Sequence, residues 1–166
     1  MPDAPDPTVR PLTAFNFRVE FTLDVDGVST PLCAAAFDEC DGLEMTMEPK
    51  TYKEGGNNLV QHHLVGPVTY GQLTLKRGMT DTLDLWTWFD RVVEGETGLR
   101  VDGQVHYLGS TPARPDGEGD PQAAFLLSRC LPIKLKAPAL NAKEGAVAIE
   151  EMQVAYERLR RLRPAG

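Results

Sequence analysis

From Phe15 to Leu23 apolar and polar positions alternate. Phe15, Phe17, Val19, Phe21 and Leu23 are separated by Asn16, Arg18, Glu20 and Thr22. A period of two predicts a strand with one buried face and one wet face. Asp26-Gly27 follows as a turn signal. Residues 32–48 predict a second extended region ending at Met45, Met47 and Pro49, with Gly42 as a break that marks a bulge. Tyr52-Lys53-Glu54-Gly55-Gly56-Asn57-Asn58 has the composition of a loop with positive-φ positions. Strand character returns over Val68–Lys76, where Leu73 and Leu75 face one way and Gln72, Thr74 and Lys76 the other.

After Gly78 the period changes. Over Thr80–Glu94, Leu83, Trp86, Phe89 and Val93 fall on one helical stripe, widened by Leu85 and Val92. Thr80 or Asp81 can cap the helix, Asp84 lies in its first turn, and Gly95 suits its end. This phase puts Trp86 in the core and leaves Trp88 off the stripe, available to a neighbouring subunit or another strand.

Strands are expected again at Arg100–Leu108 and Ala123–Leu131, separated by an exposed loop rich in proline and glycine at 111–121. The C-terminal stretch reads two ways. Ile149, Met152, Tyr156 and Leu159 have helical spacing, and the local composition favours helix. Val147 and Ile149 alternate as in a strand, as do Met152, Val154 and Tyr156, with a parity slip at Glu150-Glu151 that one bulge would produce. The pattern predicts a mainly β fold with one amphipathic helix.

The 166 residues fit one domain able to bury about 70% of the surface its unfolded chain exposes. Residues 1–11, with four prolines, predict a flexible arm, 12–160 the single β domain, and 161–166 a basic tail. A net charge of −7 argues against a generic nucleic-acid binder, whose affinity rests on basic contacts to phosphate. The acidic start lacks the basic and apolar regions of a leader, and no apolar run approaches the roughly 18 residues of a membrane span. No membrane insertion and cytoplasmic synthesis are therefore expected. Cys33, Cys40 and Cys130 are an odd set and read as reduced, buried thiols.

Candidate chemistry is sparse. His62 and His63 are adjacent, so on a strand they point to opposite faces and make a poor metal pair. A site built from Cys33, Cys40, His62 and Cys130 is geometrically conceivable but lacks zinc-knuckle spacing. Glu39, Asp41, Glu44 and Glu48 read as a solvated face before an acid–base set. No nucleophile elbow, phosphate loop or His-Glu-x-x-His helix occurs. The sequence predicts no catalytic residue, no cofactor and no metal. The run Arg158-Leu159-Arg160-Arg161-Leu162-Arg163 is either a solvated end or a contact with an acidic neighbour.

Several segments occur in a telling order. They are the Phe15–Phe21 strand, Glu39-Cys-Asp-Gly-Leu43, Tyr52-Lys-Glu-Gly-Gly-Asn57 and Gly66-Pro-Val-Thr-Tyr70. Leu73-Thr-Leu-Lys-Arg-Gly78 then leads into a helix holding Leu85-Trp-Thr-Trp88, followed by Pro132-Ile-Lys134, Leu140-Asn141 and Val147-Ala-Ile-Glu-Glu151. Over roughly residues 15–160 the chain resembles the tail tube family of contractile-tailed phages and extracellular contractile injection systems. The long 111–121 loop and the basic Arg158–Gly166 tail depart from a minimal tube subunit and point to a specialised ring.

The resemblance implies a small antiparallel β-barrel or sandwich with one flanking helix, and a strand after Val147. It implies a non-enzymatic homo-oligomer of hexameric rings stacked into a hollow tube. Sheath, baseplate or hub, and cap proteins would be its partners, and DNA or a protein effector its lumen cargo. Candidate contacts between rings or subunits are Tyr52, Lys53, Glu54, Gly55, Gly56, Asn57, Trp88, Arg158, Arg160 and Arg161. The alternatives are a tube initiator, terminator or baseplate ring of the same fold, the secreted ring protein of type VI secretion, a monomeric β-barrel binding a small ligand, and a hydrolase using His62 or His63.

Overall fold

Alternating residues carry most of the architecture, as seen in a computed structural model that describes residues 16–56, 59–109 and 121–163. The expected arm at 1–11, Phe15, Asn57, Asn58, the expected loop from 111 to 120 and the end of the tail at 164–166 lie outside the described residues. The strands are β1 (Phe17–Val25), β2 (Val28–Ala35), β3 (Glu39–Asp41), β4 (Met45–Met47), β5 (Lys50–Tyr52), β6 (His62–Leu64), β7 (Val68–Tyr70) and β8 (Gln72–Gly78). The helix α1 (Asp84–Val93) follows, then β9 (Val101–Tyr107), β10 (Ala123–Lys136), β11 (Ile149–Ala155) and β12 (Arg158–Leu162). All pairings among them are antiparallel.

Two sheets share the long strand β10. Its first half lies between β9 and β12 and continues through β1 to β2; its second half pairs with β11, which leads through β8 to β3. The strand bends where Arg129 adopts φ 55°, a left-handed conformation uncommon for a side-chain-bearing residue. Three contacts hold the bend. The Arg129 amide donates to Asp102, its guanidinium pairs with Glu157 at 2.8 Å, and the Glu157 amide donates to the Ser128 carbonyl. Val19, Phe21, Val105 and Leu127 of one sheet meet Leu73, Leu75, Met152 and Val154 of the other, with Leu85 and Trp88 of α1, in one buried cluster.

The C-terminal stretch is strand, not helix. The expected slip at Glu150-Glu151 is absent, because β8 and β11 pair without a shift from Ile149 to Ala155. Glu150 simply occupies an inward position alongside Met152 and Val154. The parity changes further on: Tyr156 and Leu159 are both buried, so the slip falls across Glu157-Arg158, at the bend.

The helix differs from expectation in start and phase. It begins at Asp84, with Leu83 as the capping position and no side-chain cap; Thr80 instead bonds Thr82, hydroxyl to hydroxyl, at 2.7 Å. Leu85 and Trp88 are buried, whereas Leu83 and Val93 are 67% and 69% exposed. The inward stripe is 85, 88, 89 and 92. Trp88 is therefore not a surface residue: it is fully buried, its ring 4.9 Å from that of Phe21. Trp86 lies at the margin, donating its indole N–H to Glu150 at 3.2 Å.

Candidate assembly interface

Residues 39–76 form one long hairpin. β3 pairs with β8, β4 with β7 and β5 with β6, and the register changes by a single residue along its length. At its base β8 also pairs with β11, so the hairpin starts as part of a sheet. Beyond Gly71 it has two strands only among the described residues. Eight residues from Met45 to Tyr52 at the strand rise of ~3.3 Å make a ribbon roughly 26 Å long.

Tyr156 fixes the point of departure. Its hydroxyl donates to the Gly42 carbonyl at 2.7 Å and accepts from the Glu44 amide at 3.1 Å, and its ring centroid lies 5.8 Å from that of Tyr70, the two rings tilted by 55°. Burial raises the Tyr156 phenol above its ordinary range, which keeps the donor proton in place. Gly42, at φ 97°, lies so close to the Gln72 carbonyl that any Cβ would collide with it. The break expected at Gly42 is thus the hinge between sheet and ribbon.

Opposite residues in an antiparallel pair share a face. Met45 faces Tyr70, and Met47 faces Val68, so these four lie on one side of the ribbon while Thr46 and Thr69 lie on the other. Met45, Met47, Val68, Leu64 and Tyr52 are all exposed. A two-stranded ribbon is marginal in water, and contiguous exposed apolar side chains mark an interaction surface.

At the tip, Lys53, Glu54, Gly55 and Gly56, with Leu59, Val60 and Gln61, line a concavity of about 390 Å³. Tyr52 pairs with His62 and Thr51 with His63, so the histidines face opposite sides; His62 stands 4.0 Å from Glu54. The sequence-predicted contacts Tyr52, Lys53, Glu54, Gly55 and Gly56 therefore sit together on the distal ribbon. Asn57 lies outside the described residues. Trp88 is in the core, far from this role.

The basic run forms β12, an edge strand whose only partner among the described residues is β10. Arg158, Arg160 and Arg161 are all exposed; Arg158 and Arg160 flank the buried Leu159, and Arg161 lines an open concavity of about 300 Å³ with Tyr107, Ala123 and Phe125. None of the three arginines makes an ion pair among the described residues.

Sequence reasoning missed a buried charge cluster. Arg77 projects from β8 into the core, 2.5 Å from Glu150 of β11 and 2.6 Å from Asp84 at the start of α1, with its guanidinium over the Phe37 ring. Burial acts to raise the Asp84 carboxyl, but the hydrogen bonds from Arg77, Cys33 and the Leu85 amide, together with the Arg77 charge, outweigh this and hold it below its ordinary value. The cluster ties the helix to the second sheet. The one available signal was the Leu73, Leu75, Arg77 alternation, which assigns Arg77 inward.

Burial pushes the Cys40 and Cys130 thiols up to about 12, and raises Cys33 as well, with a hydrogen bond to Asp84 adding to it. These thiols are poor nucleophiles. Among the described residues no three His, Cys, Asp or Glu side chains gather as a metal site, so Cys33, Cys40, Cys130 and His62 do not form one. No helix of the described residues is long and apolar enough to cross a membrane.

Open strand edges and a projecting apolar ribbon are the features of a subunit that completes itself against other chains. The chain belongs to the T4-like virus tail tube protein gp19 family, whose model matches residues 13–160. Comparison with curated protein sequences gave no match. Among solved structures it is similar to a chain of the anti-feeding prophage baseplate, 6-fold symmetrised, at 27% identity and TM-score 0.76, covering 93% of this chain and 97% of that one. A chain of the sheath-tube complex of the extracellular contractile injection system PVC gives 17% identity and TM-score 0.72, with 92% of each chain covered. A chain of the anti-feeding prophage tube-terminating cap also gives 17% and 0.72, with 95% of each covered. The protein is a structural tube subunit of mainly antiparallel β fold.

Proposed function

We propose that this subunit builds the inner tube of a contractile tail or contractile injection system by closing into hexameric rings that stack. The observation that carries this reading is the 39–76 hairpin leaving its sheet at Gly71 as a ribbon with an exposed apolar face, in a chain of the tail tube family. Burying that face against the next ring removes Met45, Met47, Val68 and Leu64 from water. The tip residues Tyr52, Lys53, Glu54, Gly55 and Gly56 then make the polar contacts of stacking. Arg158, Arg160 and Arg161 on β12 meet acidic surface on an adjoining chain.

The role is mechanical and not catalytic. Sheath outside the tube, baseplate or hub below it and cap above it are the partners proposed from the assemblies of its structural relatives. The lumen carries cargo, DNA or protein. A second reading places the subunit in a specialised ring at a tube end, which the 27% identity to the baseplate chain favours.

Sedimentation velocity on concentrated protein tests the assembly claim. Species at six times the chain mass and multiples of it are expected. A monomer at every concentration, which also fails to bind the ends of preformed tubes, contradicts it.

A further inference from the structure

The ribbon is a lever about 26 Å long, joined to the sandwich at one end. A swing of about 10° at its root carries the tip sideways by roughly 4 to 5 Å, more than a side-chain contact tolerates. The root is also where the ladder is interrupted. Residues 42–44 fall between β3 and β4, and Gly71 falls between β7 and β8. The direction of the ribbon therefore depends on what bridges this gap to the body.

One side chain bridges it. Tyr156 follows β11 and is 6% exposed. Its hydroxyl lies 2.7 Å from the Gly42 carbonyl and 3.0 Å from the Glu44 carbonyl, and accepts from the Glu44 amide at 3.1 Å. The Glu44 carbonyl in turn accepts from the Gly71 amide at 3.1 Å, so the bridge reaches the facing strand. The aromatic ring of Tyr156 meets that of Tyr70, the last residue of β7. Both strands of the ribbon are thus gripped by one residue of the body. Its own backbone is held at the bend that joins the two sheets. There the adjacent Glu157 donates its amide to the Ser128 carbonyl at 3.0 Å and pairs with Arg129 at 2.8 Å.

We propose, resting on the reading that the ribbon stacks rings, that Tyr156 is a positioning residue for assembly: its hydroxyl sets the direction of the ribbon before the next ring arrives. An arm already aligned associates more tightly, because less freedom is lost on contact. Tyr156 is buried, so it acts through the ribbon and not by touching the next ring. The fold does not depend on the hydroxyl. Gly42 is half-buried and Glu44 exposed, so water replaces the lost bonds while the ribbon loosens.

Tyr156→Phe keeps the aromatic contact with Tyr70 and removes only the hydroxyl. Its melting curve and its ring formation should match the wild type. The concentration needed for rings to stack into tubes should rise roughly five- to tenfold, the scale of one lost hydrogen bond. A purely structural role would move the melt and leave that ratio alone. Direction is read in unstacked subunits, from the distance between spin labels at Lys53→Cys on the ribbon and Asp90→Cys on α1. The distribution should be narrow in the Tyr156 protein and broad in Tyr156→Phe. A broadened distribution with normal stacking, weakened stacking with a narrow one, or no change in either overturns the inference and leaves the tube reading standing. Wild-type protein that forms no tubes overturns the tube reading and this inference with it.

Should Tyr156→Phe fail to fold, hydrogen exchange on unstacked wild-type subunits decides. The Glu44 and Gly71 amides should exchange at least tenfold more slowly than those of Lys53 and Glu54 at the tip. Exchange at the root as fast as at the tip overturns the proposal.

Discussion

The guanidinium of Arg77 and the carboxylate of Glu150 meet at 2.5 Å inside the core, where both residues are almost without solvent. The pair joins adjacent strands at directly opposed positions, and Asp84 brings the helix onto it. Removing one member of such a pair leaves a buried charge without compensation. Arg77→Met should therefore cost about 3–5 kcal/mol in urea unfolding. A loss below ~1 kcal/mol would mean that water reaches the cluster.

The same cluster sets an acid limit. The Asp84 carboxyl is held below its unfolded value, so it contributes stability above that unfolded value and loses it as pH falls through the folded one. Unfolding free energy should decline as pH falls below roughly 4. Asp84→Asn should be less stable at neutral pH and flatter across the acid range. A variant with the slope of the wild type would show that other carboxylates carry the acid response.

Helix phase can be read by a pair of substitutions. Trp88→Ala should cost about 3–5 kcal/mol, since its ring fills the space beside Phe21. Leu83→Ala, at an exposed site, should stay within ~0.5 kcal/mol. Thermal or urea melts that reverse this ranking would restore the phase expected from sequence.

Glu54→Arg at the ribbon tip should leave the melting curve of the subunit unchanged and abolish stacking. Met47→Asp, on the apolar face, should act the same way. Variant tubes of normal length under the electron microscope would remove the ribbon from the stacking contact.

What the sequence disclosed follows the strength of its periodicity. β1 was legible because Phe17, Val19, Phe21 and Leu23 alternate without exception, and β8 because Leu73 and Leu75 do. The helix was legible as a helix, but 83, 86, 89, 93 and 85, 88, 89, 92 are both apolar stripes, and only contact with Phe21 selects the second. Glu150 misled because a charge at an inward position looks like a break in pattern until its partner is known, and Arg77 lies 73 residues away. The strand after Val147 came from the family resemblance, not from propensity. The ribbon tip was found from Gly55-Gly56, but the length of the hairpin was hidden. Its three-residue strands expose apolar residues, so they carry no inward–outward alternation.

Negative-stain electron microscopy of the purified, concentrated protein, alone and with preformed tube ends, tests the central claim most directly. The account predicts hollow rings of six subunits and stacks of them. Uniform monomeric particles under both conditions would contradict it.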